Sequence, residues 1–311
     1  MLKKYLSILA VFALFMMIAP LIALFRDSSG DKQKTENKGE RVTVRDHKTG
    51  ESFELYLKDY IKGVVAANIP AVYEPETLKA QAAASYTYAV RHINSDTALS
   101  TDPAEHQAYI PDNELKSIYG ENYSEYKKRI SEATDAVFGE ILLYQNEPIA
   151  AAYFAFSNGK TESAANVWGQ DIPYLIPADS PHDINAPNYQ ITVSISAEEV
   201  LARLTESDSE LVMPVYKTDW FKIAERSDSG YVTKVAVGNK TMTGIQIRTM
   251  FDLKSTDFEI VSEDDQFLFT TKGSGHAVGL SQHGANEMAK EGKTYTEILK
   301  HYYTGIEISS Q

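Results

Sequence analysis

The chain has 311 residues, enough for one large or two modest domains with a well-buried core. Hydrophobic residues make up 43% and charged residues 23%, an ordinary folded composition; the formal charge of −13 repels phosphate backbones and excludes nucleic acid as a partner. There is no cysteine, which rules out disulfides, thiolate metal sites and a cysteine nucleophile together.

At the N-terminus, Lys3 and Lys4 precede a run from Tyr5 to Phe25 without a charged side chain. As a helix it is about 31 Å long, the thickness of a bilayer's hydrocarbon core. A retained single-pass anchor over residues 1–26 is expected, with the lysines inside and the remainder of the chain outside the cell membrane. A cleaved signal peptide is the other reading, but Phe25-Arg26-Asp27 follows where a small-x-small cleavage pattern belongs. Residues 27–40, DSSGDKQKTENKGE, have nothing aliphatic or aromatic to bury and read as a flexible tether.

The folded part begins near Arg41 and extends to residue 311. RVTVRD and FELYL alternate with the two-residue period of strands around Lys48-Thr49-Gly50. A helix follows in which Pro75 suits the first turn and Leu78, Ala82, Ser85 and Ala89 form a stripe of mostly small residues open to close packing. A second helix is predicted over Ser124 to Val137, stopped by Gly139. GEILLY and IAAAYFAF read as two strands joined by Gln145-Asn146-Glu147-Pro148, and the four prolines between Pro173 and Pro187 mark an ordered surface loop. AEEVLARL and GIQIRTMF read as short helices, and FEIVSEDDQFLFTT as a hairpin. A glycine-rich loop from Gly273 to Gly279 precedes helix-like text at Ser281 to Lys290 and Tyr295 to Tyr302. Helices and strands mix without steady alternation, so the fold class is α+β, one mixed domain with room for a smaller subdomain.

Three segments carry a resemblance. YIKGVVAANIPAVYEPETLKAQAAASYTYAVRH at 60 to 92, FSNGKTESAANVWG at 156 to 169 and GSGHAVGLSQHGANEMA at 273 to 289 resemble the signatures of the stage II sporulation protein D family. In that family a tyrosine-led helix runs into Glu-Met-Pro and an Ala-rich helix, a Ser-Asn-Gly segment leads to tryptophan, and a Gly-His-Gly-Val-Gly loop precedes Ser-Gln. The resemblance covers nearly all of residues 41–311. It implies a membrane-anchored lytic transglycosylase that cuts denuded peptidoglycan glycan strands during engulfment. Stage II sporulation proteins P and M are the partners it implies, and no cofactor.

Such chemistry needs one carboxylic acid. The acid protonates the glycosidic oxygen and then, as carboxylate, takes the proton of the muramyl C6 hydroxyl, closing a 1,6-anhydro ring. The resemblance assigns that acid to the glutamate of Glu-Met-Pro, where this chain has Asn68. An amide cannot release a proton to a leaving oxygen. The apolar run GVVAA before it would raise the pKa of an acid at that point. Glu74 and Glu76 are possible substitute acids, though both also read as first-turn glutamates that favour the helix dipole; Glu162 is a further acid that Asn68 would accompany. Asn68 itself also reads as an amide that hydrogen-bonds backbone ahead of Pro70. A catalytically impaired glycan-binding scaffold or amidase enhancer is thus the second reading.

For substrate contact the candidates are Tyr86, Tyr88, Tyr153 and Trp168, whose rings suit sugar faces, together with Ser157, Asn158, His276, Ser281 and Gln282 in the family-like segments. Some relatives carry a histidine-and-cysteine zinc site near the region of His106; without cysteine, no metal is expected here.

Overall fold

The computed structural model describes residues 40–93 and 98–310. The expected anchor and nearly all of the expected tether lie outside the described residues, and no described helix is long and apolar enough to cross a membrane. Residues Arg41–Gln311 cluster as one compact unit.

Strands β1 (Arg41–Arg45) and β2 (Ser52–Tyr56) pair antiparallel, and β3 (Leu99–Ser100) joins β1 in parallel. β1 alternates as the two-residue period predicts, with Val42 and Val44 inward, whereas β2, an edge strand, has no buried residue. Helix α1 (Leu57–Asn68) follows directly and buries Tyr60, Ile61, Gly63, Val64, Val65 and Ala66. It stops because Ile69 turns extended before Pro70, as residues preceding proline do.

Helix α2 (Pro75–Ile93) is the centre of the first core, and Leu78, Ala82, Ser85 and Ala89 are all buried along it. Because three of these four are small, several elements pack on it at once: α1, α4 (Tyr123–Val137), α8 (Gln282–Lys290), α9 (Tyr295–Tyr302) and strand β4 (Glu140–Tyr144). Helix α3 (Asp112–Tyr119) leads into α4. β4 pairs with β14 (Glu307–Ser310) and β5 (Glu147–Pro148) around a turn in which Gln145 and Asn146 both have positive φ, the requirement of a two-residue hairpin.

Two expectations are corrected. IAAAYFAF is not a full strand: only β6 (Tyr153–Phe154) pairs, in parallel with β13 (Leu280–Ser281). The chain kinks where Ala152 N donates back to Ala150 O at 2.8 Å, and Ala152 O is taken by Leu280 N and the Tyr303 hydroxyl. The proline-rich stretch is not confined to the surface either. Tyr174, Leu175, Ser180 and Asp183 are buried, because Asp183 is an anchoring carboxylate rather than a solvated one.

A second hydrophobic core forms within residues 190–272, built on Val235, Phe251, Phe258, Phe267 and Phe269. β11 (Asp257–Glu263), β12 (Gln266–Lys272) and β7 (Gln190–Ser196) make one antiparallel sheet, and β10 (Lys240–Thr243), β9 (Val232–Val237) and β8 (Phe221–Arg226) another. Helices α6 (Ala197–Ser207) and α7 (Gly244–Met250) start at Ser196 and Thr243, whose side chains cap them. The whole is the mixed, non-alternating α+β architecture.

Candidate functional site

A cleft of about 400 Å³ opens where α1 ends. Asn68, Tyr88 of α2 and residues 103–108 line it together with Ala150, Ala151, Ala152, Tyr153, Trp168 and His276. Helix α5 (Ala164–Trp168), capped by the Ser163 hydroxyl and ended by Gly169 in the left-handed region, places Trp168 there with 43% of its surface exposed. Its ring centre lies 5.3 Å from that of His276, which lies 5.6 Å from Phe154. Gly275 lets this group close up, since a Cβ would sit 2.7 Å from Phe154.

His276 Nδ1 accepts from Val278 N at 3.1 Å, and burial, with Arg248 nearby, pushes its pKa down to about 4. The ring is therefore neutral at pH 7. Also along the cleft, Tyr88 stacks on His92 with centres 4.1 Å apart, and His92 meets His106 edge-on at 5.0 Å. Tyr153 donates to Gln107 Oε1 at 3.0 Å, its hydroxyl kept protonated by burial. The surface is aromatic, amide-rich and nearly neutral, which suits sugar rings.

Asn68 faces this cleft, and its surroundings differ from the expected apolar pocket. Its Nδ2 donates to Val64 O at 2.7 Å and to Ala108 O at 2.9 Å. Gly63 to Ala66 are buried for packing, and main-chain carbonyls meet the Asn68 side chain. The amide ties the end of α1 to the segment 103–108, which forms the cleft wall. Gly63 secures the same segment from behind: Ile110 N donates to Gly63 O at 3.3 Å, and a Cβ on Gly63 would lie 2.3 Å from the Tyr109 ring.

Glu74 and Glu76 do not line the cleft. Glu76 is paired with Lys79 at 2.6 Å and accepts from Tyr295 N at 2.9 Å; these bonds outweigh its desolvation and hold its pKa below the usual carboxylate value. Glu74 begins the turn into α2, its own N–H given to Asn286 Oδ1. Glu162 is only 2% exposed; its Oε1 accepts from Ser163 N and Asn166 Nδ2, and its N–H donates to Ala277 O at 2.7 Å. It braces the loop of His276 and the helix of Trp168 from within.

Several expected contact residues are elsewhere. Ser157 and Ser281 are fully buried, and both hydroxyls donate to Asp183, itself 0% exposed. Gln282 and Gln81 form a buried amide chain with Ser85, and Tyr86 packs on Phe138. Asn158 donates to Ser229 O and Asp257 Oδ2, joining the two cores. These positions are interior polar joints, because a buried donor needs a partner whatever motif it belongs to. Of the expected residues, Asn68, Tyr88, Tyr153, Trp168 and His276 meet at the cleft.

Sequence reasoning missed Glu105 and Gln107, which line the cleft, and the buried Asp183 that holds Ser157 and Ser281. The segment DPAEHQAYIPD has no periodicity to expose its role, although its paired prolines bound a built loop. Glu105 is the carboxylate among the cleft-lining residues; a hydrogen bond from the Ser100 side chain, then the Arg45 guanidinium at 2.7 Å, hold its pKa below the usual value. Among the described residues no three His, Asp or Glu side chains converge as metal ligands.

A family model described as Stage II sporulation protein matches residues 45–144. Stage II sporulation protein D of Bacillus subtilis (strain 168) is 39% identical over 261 residues, spanning 81% of this chain and 74% of that protein. Its counterpart from Bacillus amyloliquefaciens is 38% identical, with coverage of 81% and 74%. An amidase enhancer of Bacillus subtilis is 27% identical over 301 residues, spanning 80% of this chain and 40% of its own length.

Proposed function

The chain belongs to the stage II sporulation protein D family, and on that premise we propose that its cleft binds the glycan strands of peptidoglycan during sporulation without cutting them. The observation that carries this reading is Asn68: both amide hydrogens are committed to main-chain carbonyls at the position where the family's acid belongs. No proton is available there for a glycosidic oxygen. Glu76 is held ionised away from the cleft, and Glu105, although in it, is held ionised by Ser100 and Arg45. A carboxylate kept below its usual pKa is a poor general acid near neutral pH.

Loss of acid–base assistance removes about 10² to 10⁴ in rate, so turnover falls to a trace while the aromatic cleft still holds sugar. A glycan-binding partner of an amidase fits these features, and similarity to an amidase enhancer supports it. The cell membrane is the expected location, with the compact unit outside, and stage II sporulation proteins P and M are the expected partners.

The test uses residues 41–311 and denuded glycan strands, with co-sedimentation for binding and mass spectrometry for 1,6-anhydromuramyl ends. Wild type should bind and produce no ends. Asn68→Glu should produce them, since only the acid is missing. Ends from wild type that vanish in Glu105→Gln or Glu76→Gln would overturn the reading in favour of a transglycosylase with a substitute acid.

A further inference from the structure

A second cavity, of about 350 Å³, shares no lining residue with the cleft. Its lining comes from α1, residues 109–110, α3 and α4, and its volume is that of a small-ligand site. The apolar part is Gly63, Tyr109, Ile110, Leu115 and Ile130, of which Gly63, Leu115 and Ile130 are buried. Tyr109 is held there by packing: its ring stacks on Tyr60 with centres 5.6 Å apart, and any Cβ on Gly63 would run into it.

Four ionised side chains also line this cavity, and three of them have partners. Lys127 pairs with Asp112 at 2.6 Å, and the Tyr123 hydroxyl donates to the same carboxylate at 3.1 Å. Lys62 reaches Asp135 at 3.2 Å, a carboxylate that Lys58 shares at 3.3 Å. The fourth is Asp59, exposed in the first turn of α1, which makes no hydrogen bond or ion pair among the described residues. The local field has the same sign: burial first, then Asp59, Asp112 and Glu114, push the Tyr109 hydroxyl up to about 12. An anion would have to break an ion pair to reach either lysine, whereas a cation meets Asp59 directly.

We propose that this cavity binds a primary alkylammonium, its ammonium group paired with Asp59 and its aliphatic arm on the apolar lining. The unmatched carboxylate selects the charge, and the buried floor requires the arm, which a bare cation lacks. Free amines and the lysine side chains of a polypeptide share this chemistry, so the test separates them. The proposal is independent of what the cleft holds.

Saturation-transfer NMR of the full chain tests it with n-butylammonium, Nα-acetyl-lysine N-methylamide, 1-butanol and methylammonium. The first two should bind with millimolar Kd and displace each other. 1-Butanol, which keeps the arm without the charge, and methylammonium, which keeps the charge without the arm, should each bind about tenfold more weakly or worse. Asp59→Asn, a swap of similar shape at an exposed position, should weaken both alkylammonium probes about tenfold. Ser131→Phe, which fills the cavity and leaves Asp59 in place, should abolish their binding. Should that variant not fold, Asp59→Asn and the wild-type probe series decide. Equal affinity of wild type and Asp59→Asn, or of n-butylammonium and either control probe, overturns the proposal, as does failure of both alkylammonium probes to bind. Tighter binding of the lysine derivative assigns the ligand to a polypeptide, and tighter binding of n-butylammonium to a free amine; either supports the site.

Discussion

Replacing Asn68 by aspartate tests the two carbonyls that surround it. Val64 O and Ala108 O at 2.7 and 2.9 Å would face a carboxylate with like partial charge, so the ionised form is disfavoured and the aspartate's pKa rises above its usual value of about 4. A folded-state pKa raised in this way means stability that is full below the unfolded value and is lost as pH rises from there through the higher folded value. Asn68→Asp should therefore match wild type most closely near pH 4 and fall behind it by about 1–3 kcal/mol at pH 7, measured by denaturant unfolding across pH. A constant gap would show that the carbonyls do not act on the side chain. His276 has the opposite sign of dependence. Its pKa, pushed from 6.5 to about 4, leaves the unfolded chain binding more protons between these values, so its contribution is full above pH 6.5 and is lost as pH falls toward 4. His276→Gln should flatten that part of the stability profile.

The segment that walls the cleft is held by an element-level fit. α1 and residues 103–110 approach so closely at Gly63 that a methyl group would meet the Tyr109 ring at 2.3 Å and Ile110 O at 2.7 Å. Gly63→Ala should cost about 1–3 kcal/mol, the usual penalty of overpacking, and weaken glycan binding because the wall that includes Glu105, His106 and Gln107 is displaced. Unaltered binding in a destabilised variant would separate the wall from α1. A second joint lies at Asp183, which accepts from Ser157 N at 2.7 Å and from the hydroxyls of Ser157 and Ser281 at 2.6 and 2.8 Å. Asp183→Ala leaves these buried donors without an acceptor and should cost about 3 kcal/mol or more. The proline-rich stretch announced a loop, but the sequence offered no sign that its aspartate turns inward. Burial of a charge is decided by donors brought from residues far away in the chain.

At the scale of the molecule, the charge of −13 bears on how the ligand is held. A protein that binds phosphate chains loses affinity steeply as salt rises, through counterion release. Here the cleft is nearly neutral, so glycan binding should change less than about threefold between low and high salt, as checked by co-sedimentation across that range. Asn158 is one of several polar links between the segment 156–160 and residues 190–272: its side chain donates to Ser229 O at 2.9 Å and Asp257 Oδ2 at 3.0 Å. Asn158→Ala should broaden the unfolding transition by letting the second core open earlier.

What the sequence alone determined was local or repeated along the chain. Period-two alternation placed β1, β2, β11 and β12; the Pro75 start and the Leu78, Ala82, Ser85, Ala89 stripe placed α2; and the three family-like segments placed Asn68, Trp168 and His276 among the residues of interest. These features are legible because propensity, periodicity and capping act between residues a few positions apart. The tertiary structure alone decided which of those residues share a cleft, that Ser157, Ser281 and Asn158 are interior joints, and that the Asn68 amide donates to two main-chain carbonyls. Those outcomes depend on partners tens to hundreds of residues away, Ala108 for Asn68 and Asp183 for Ser281, and hydrogen bonding at such separations leaves no period in the sequence.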